Sequence, residues 1–378
     1  MRCLHEVLPA LLAALGVPAQ LDASRERTVP GVRGVPEARS ACLLLVDGLG
    51  WQLLRDHVAD APFLAALAEG TEPLSVGFPA TTATSITSLG TGRASGEHGV
   101  TGHTFLAPSG AVLNALTWCS QPGVDLRESA VPERVQPHDT ALQRAAAAGL
   151  DVRVVAPPLQ QDSGLSRAAL RGGEFHPAHA LGDLAAGVLS GVTGRGLCYA
   201  YHGDLDLVGH LHGPGSLPWR LQLQLVDRLV AMIAERLPAG ALLAVVADHG
   251  MVELTDPVDA DADERLSAGV MVLAGDVRAR HVHAVPGAAA DVLATWQEAL
   301  GPRAQVLARE EAVAAGWFGP RVADGVRERI GDVVVAARGG AGVLRRVAEP
   351  RESAMVGHHG ALTDAEQLVP FLLVTGGS

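Results

Sequence analysis

The sequence predicts an α/β fold: a mostly parallel central sheet sandwiched by helices, carrying a small inserted α+β cap subdomain. Three observations point there. The apolar runs at 41–48 (ACLLLVDG), 196–201 (GLCYAY) and 241–250 (ALLAVVADHG) are continuous rather than alternating, as in strands buried on both faces. Helical patterns lie between them, including 51–67 and a stripe at 225, 226, 229, 230, 233 and 237. Each run also ends in or near acidic residues: Asp47, Asp204/Asp206 and Asp248-His249. Parallel sheets present their ligands beyond the carboxyl ends of the strands, so three acidic tips on independent strands read as one shared site.

Taken in order, residues 1–18 read as an amphipathic helix interrupted by His5, Glu6 and Pro9, without the clean apolar core of a signal peptide. No run reaches the roughly 18 apolar residues of a membrane span, which gives the expectation of a soluble cytoplasmic protein with no membrane partner. Residues 20–40 read as a loop and the proline-bearing 104–137 as irregular. TALQRAAAAG and LDVRVVAP add a helix and a strand. Beyond 255, AGVMVLAG and RARHVHAV form a predicted hairpin, AADVLATWQEAL a helix and AQVLA a short strand. The division follows: core at 1–259, cap at 260–328, and core again at 329–378, with DVVVAARG (332–339) returning to the main sheet.

Composition narrows the function. The 378 residues, 48% hydrophobic, can bury one large core or two modest ones. Net charge is −12, lysine is absent and no basic run occurs, which argues against binding duplex nucleic acid. Cys3, Cys42, Cys119 and Cys198 are widely spaced with no CxxC, as reduced thiols rather than a disulfide framework or zinc knuckle. His281-Val282-His283 reads as a surface or cap feature, and the tryptophans as core. Trp118, on the irregular segment, is the best placed of them to stack on a base, and His212 could line a pocket.

Five pieces carry chemistry: Val46-Asp47-Gly48, the stretch FPATTATSITSLGTGRASGEHG (78–99), Asp206-x-x-x-His210, Asp248-His249-Gly250, and His358-His359-Gly360. The second holds six hydroxyls in the eight residues from Thr81 to Ser88. Asp and neutral His are common ligands of divalent ions. A two-metal phosphoryl-transfer site needs about six ligands from several strand ends. Asp47, Asp206, His210, Asp248, His249 and one of His358/His359 supply them.

In this order the motifs resemble the alkaline phosphatase superfamily, and within it the nucleotide pyrophosphatase/phosphodiesterase (type I phosphodiesterase) branch, over residues 41–375. The resemblance implies an alkaline-phosphatase-like core and hydrolysis of phosphodiester or nucleotide pyrophosphate bonds through a phospho-threonine. It implies two divalent ions, zinc or else manganese: one on Asp47, Asp248, His249 and the Thr oxygen, the other on Asp206, His210 and His359. The superfamily nucleophile lies nine residues before the Thr of a Thr-Gly pair, which selects Thr82 from Thr91-Gly92, with Thr81 the alternative register. The ligand His directly precedes Gly, which selects His359. The branch carries Phe-Pro-Asn just after its nucleophile, whereas Phe78-Pro79 here precede it. His103 aligns with a phosphate-contacting Asn and is the implied substrate-binding residue. The implied partner is a small phosphoester or nucleotide, with oligomeric state left open. Phosphomonoester or phosphonate hydrolysis, and an inactive binding or regulatory member, are the rival readings.

Overall fold

The computed structural model describes residues 2–17, 34–120 and 123–377; the expected loop at 20–40 falls largely outside them. The principal strands are β1 (Ser40–Val46), β2 (Asp151–Ala156), β3 (Glu174–Pro177), β4 (Gly196–His202), β5 (Ala241–Val246), β6 (Val270–Asp276), β7 (Ala279–Ala284), β8 (Ala304–Ala308), β9 (Val333–Ala337) and β10 (Phe371–Thr375). The main sheet has the order β10-β5-β1-β4-β2-β3. All its neighbours pair in parallel except β10, which runs antiparallel along β5. β1 and β5 are buried at every position, as their unbroken apolar runs require. Helices Pro62–Ala68, Ala141–Ala147 and Leu181–Gly191 pack directly on this sheet, and helices α1 (Thr82–Thr91), α2 (Asp204–His212) and α3 (Leu217–Ala234) bury apolar residues in the same core. The predicted α/β architecture is therefore observed.

The second sheet, β6-β7-β9-β8, is antiparallel throughout. It includes the predicted hairpin β6–β7 and the short strand β8, and the helix Ala289–Leu300 packs on it. DVVVAARG does not return to the main sheet. Its residues Val333–Ala337 form β9, between β7 and β8. A fully buried valine run has the same pattern in either sheet, so periodicity could not assign it. A separate apolar cluster built on Val282, Trp296, Leu300, Val306, Val333 and Val335 fills the space under this sheet. Two buried ion pairs tie β7 and the turn before it to the C-terminal segment: Arg278 to Glu366 at 2.7–2.8 Å, and Arg280 to Glu349 at 2.7–3.2 Å.

Other expectations need correction. The N-terminal helix Val7–Ala14 is buried from Val7 to Leu12 rather than amphipathic, because it inserts into the main core. Residues 104–137 contain a three-stranded antiparallel sheet (Thr104–Leu106, Val112–Asn114, Cys119–Ser120), whose strands are too short for a periodic signal. His281 and His283 lie on β7 but are buried, at 0% and 3% exposure. Trp118 is buried and its Nε1–H donates to the Ala130 carbonyl at 2.7 Å, so its ring offers no stacking face. His212 is exposed at the end of α2 and lies outside the pocket described below.

Candidate active site

The hydroxyl-rich stretch folds into α1, all ten of whose residues are buried. Thr and Ser are poor helix formers because their hydroxyls compete for the backbone. Here all of those hydroxyls but Ser85 Oγ, which is buried without a partner among the described residues, are used. Thr87 and Thr91 donate back to the carbonyls of Ala83 and Thr87 at 2.7 Å, Thr84 donates to Val100 O at 3.1 Å, and Ser88 pairs with His98 Nε2 at 2.9 Å. The helix ends at Gly92, whose φ of +71° is the left-handed conformation glycine adopts without strain. Two hydroxyls at the other end turn outward. Thr81 Oγ1 donates to Asp276 Oδ1 at 3.0 Å, and Thr82 Oγ1 lies 3.1 Å from His249 Nε2.

Around Thr82 the strand tips converge. His249 Nδ1–H donates to the Gly250 carbonyl at 3.1 Å, so in the neutral ring Nε2 carries the lone pair. That nitrogen is 3.3 Å from Asp47 Oδ1 and 3.6 Å from Asp248 Oδ2. Both oxygens are buried without a hydrogen-bond partner among the described residues. The other oxygen of each carboxylate is held: Asp47 Oδ2 by the Tyr201 hydroxyl at 2.5 Å, Asp248 Oδ1 by the N–H groups of Gly48 and His249 at 3.2 and 3.1 Å. Gly250 is glycine for space, since a Cβ there would meet the Ala365 carbonyl at 2.0 Å.

A second group adjoins the first. Asp206 and His210 stand one turn apart on α2, with His210 Nε2 3.2 Å from Asp206 Oδ2. His210 Nδ1–H donates to Gly357 O at 2.7 Å and His359 Nδ1–H to Ala80 O at 2.9 Å. His359 Nε2 then faces Asp206 Oδ1, another buried oxygen without a hydrogen bond, at 3.9 Å. The rings of His359 and His249 stack at 3.5 Å, which brings the two groups together. His358 turns away, its Nε2 donating to Met355 O at 3.2 Å.

The structure thus gathers Asp47, Thr82, Asp206, His210, Asp248, His249 and His359 at one place. Ligand atoms of Asp206, His210 and His359 lie within 4.8 Å of one another, as do those of Asp47, Asp206 and His249. Asp206 stands between the two groups, a sharing the motif order did not suggest. The electrostatics are those of an acceptor-rich cavity. Burial, then the charges of Asp248 and Asp206, push the Asp47 carboxyl well above the usual range. Burial likewise raises Asp248. Burial, then the neighbouring His249 and His210, hold His359 well below an ordinary histidine, as a neutral imidazole. Burial opposes charge at His210, but Asp206 outweighs it and the net shift is upward. Imidazole nitrogens and unpaired carboxylate oxygens aimed at common points fit divalent cations. Each histidine is anchored through its other nitrogen to a backbone carbonyl, the arrangement typical of metal-ligating imidazoles.

A cavity of about 230 Å³ opens from Thr82. His103 lines it. Asn114 Oδ1 accepts from the N–H groups of Leu116 and Thr117, so Asn114 Nδ2–H donates to His103 Nε2 at 3.0 Å, leaving His103 Nδ1–H as a donor. The His103 backbone N–H donates to Asp276 Oδ2 at 3.2 Å. Asp276, Asn114 and Tyr201 escaped the sequence reading. Only Tyr201 carried a signal, as the penultimate residue of a strand next to the one that ends at Asp47.

Fold and gathered side chains together fit the alkaline phosphatase superfamily that the motif order resembles. The model of the type I phosphodiesterase/nucleotide pyrophosphatase family matches residues 41–362, and the chain belongs to that family, whose members are metal-dependent phosphoric ester hydrolases. No curated protein matches the chain at the sequence level. Among solved structures it is similar to human ectonucleotide pyrophosphatase/phosphodiesterase 5 (17% identity, 88% of this chain and 87% of that one, TM-score 0.69). It is also similar to an inactive form of the murine protein in complex with AMP (16%, 88% and 87%, 0.68). Phosphonoacetate hydrolase from Sinorhizobium meliloti 1021, in complex with phosphonoacetate, resembles it at 20% identity over 93% of both chains, with a TM-score of 0.67. Among the described residues, no helix is long and apolar enough to cross a membrane.

Proposed function

We propose that this chain hydrolyses small phosphodiesters through a phospho-threonine formed on Thr82, at a site for two zinc-like divalent ions. Asp47, Asp248, His249 and the Thr82 oxygen would hold one ion; Asp206, His210 and His359 would hold the other. The observation that carries this is the set of three histidines, each anchored at Nδ1 to a carbonyl, with Nε2 turned toward the carboxylates of Asp47, Asp206 and Asp248, each of which keeps one oxygen without a hydrogen bond among the described residues. When bound, such ions lower the pKa of a coordinated hydroxyl and offset charge on the transferring phosphoryl group.

The chain's own residues do the rest. Thr82 Oγ1 attacks phosphorus in line, the Oγ1–P bond forms, and the bond to the departing alcohol breaks. Water then opens the phospho-threonine and returns the Thr82 hydroxyl. Thr82 opens a ten-residue helix, whose first backbone N–H groups favour an anion at that end. Tyr201 O–H fixes the Asp47 carboxylate, and His103 Nδ1–H is available to a phosphoryl oxygen. The reading extends to a cytoplasmic location: the four cysteines are free, including Cys42 and Cys198, which face each other across β1 and β4.

The test is a hydrolysis panel with zinc or manganese added: bis-p-nitrophenyl phosphate, p-nitrophenyl phosphate, a nucleotide diphosphate ester and phosphonoacetate. Turnover of the diester, lost in Thr82→Ala, is expected. Activity on none of the four would favour a binding module, and preference for the monoester or the phosphonate would move the assignment to those classes.

A further inference from the structure

The buried ion pair of Arg278 and Glu366 reaches the site as well as the smaller sheet. Glu366 is fully buried, in a turn at 360–367 that directly follows His359. Each of its carboxylate oxygens accepts two hydrogen bonds. Oε1 takes Arg278 Nε–H at 2.8 Å and the Ala361 N–H at 2.9 Å; Oε2 takes Arg278 Nη2–H at 2.7 Å and the Thr363 hydroxyl at 2.5 Å. The turn then bonds to the segments that carry the site. The Glu366 carbonyl accepts from Gly250 N–H at 2.9 Å, beside His249, and the Gly360 carbonyl accepts from Ala80 N–H at 3.0 Å. Gln367 clasps Gly77, ahead of Thr82: Oε1 accepts the Gly77 N–H at 3.1 Å, and Nε2–H donates to the carbonyls of Gly77 and Ala361 at 2.8 and 2.9 Å.

Stability alone does not call for this pair. Burying a carboxylate with a guanidinium costs solvation that their attraction about returns, and an apolar pair of similar volume often serves the fold as well. An apolar pair could not receive the Ala361 N–H, which lies two positions after His359. The other buried pair makes the comparison. Arg280 bonds Glu349 and the Val343 carbonyl, and the remaining partner of the Glu349 carboxylate is Arg345 at 3.6 Å, so neither oxygen receives a group from the site. Groups that fix the orientation of a metal ligand commonly change metal affinity by about 10–100-fold. Resting on the two-ion reading above, we propose that Glu366, held by Arg278, is a positioning residue that sets the His359 ring and the Gly250 turn for metal binding.

The experiment titrates the full chain with cobalt(II), following visible absorption and bound metal, and takes the thermal midpoint of the metal-free chain as the measure of the fold. In Arg278→Met/Glu366→Met the midpoint stays near that of the parent. The binding step that His359→Ala removes weakens by about 10–100-fold. Thr363→Val takes one donor from Glu366 Oε2 and shifts the same step in the same direction by a smaller factor. Arg280→Met/Glu349→Met, at the other pair, leaves both steps as in the parent. Unchanged cobalt affinity in Arg278→Met/Glu366→Met, or in Thr363→Val should that double variant not fold, overturns this inference while the two-ion reading stands. Equal weakening in Arg280→Met/Glu349→Met also overturns it, because the effect would then follow the loss of any buried pair. A parent chain that binds fewer than two cobalt ions overturns the two-ion reading and this inference with it.

Discussion

Two groups of buried histidines lie in this molecule, and they are built differently. In the smaller sheet, His281 is satisfied at both ring nitrogens. Nε2–H donates to Thr101 O at 2.9 Å, and Nδ1 accepts from Gly331 N–H at 3.2 Å. His283 has an unpartnered Nε2, but the nearby Asp332 carboxylate is already engaged by Arg309 and the Ala284 N–H. At the strand tips, His210, His249 and His359 each spend Nδ1 on a backbone carbonyl and turn Nε2 toward the side-chain oxygens of Asp47, Thr82, Asp206 and Asp248. Burial is common to most rings of both groups and so decides nothing. A histidine that spends both nitrogens on the backbone is scaffolding, whereas one that spends a single nitrogen and aims the other at orphan oxygens is poised to hold an ion.

The contrast can be broken in four ways. The largest effect is expected from Thr82→Ala, which should lower diester turnover by on the order of 10³-fold or more while bound metal is retained. Steady-state rates with metal analysis check this, and survival of activity in Thr82→Ala with loss in Thr81→Ala would shift the register by one. Next, His359→Ala should lose one bound ion by elemental analysis, and His358→Ala should lose none; equal losses would erase the distinction between the two neighbours. Tyr201→Phe removes the donor to Asp47 Oδ2 and should weaken metal binding by about 10-fold in a chelator titration.

The smallest effect concerns His281. Burial, then the neighbouring His283, lower its pKa from 6.5 to about 3. The folded value lies below the unfolded one, so as pH falls through 6.5 the unfolded chain takes up the proton first. Stability present above about pH 6.5 is therefore lost progressively down to about pH 3. The slope from this one group is at most about 1.4 kcal/mol per pH unit. Denaturant midpoints between pH 4 and 7 should show a shallower slope in His281→Gln than in the parent. An identical slope would mean the ring is not held neutral by the fold.

Much of the site was legible because its residues are marked locally. Asp47 and Asp248 follow continuous apolar strands, Asp206 and His210 share a helix face, and Thr82 keeps its distance from Thr91-Gly92. What escaped was fixed by contacts between remote segments. Thr81 meets Asp276 across 195 positions, and no local pattern marks an aspartate at a hairpin turn as part of a pocket wall. The placement of β9 failed for a related reason: a buried valine run looks alike in either sheet. His281 failed in the opposite sense, since a period-two pattern of histidines resembles a solvated strand face until the partner elements are known.

The bond from His359 to the Ala80 carbonyl joins residues 279 positions apart. At about 5–20 residues per second of synthesis, Asp47 waits tens of seconds for His359. The cluster is therefore completed only once synthesis has passed His359, and a product cut short before that residue would carry Thr82 without the full set of groups gathered around it.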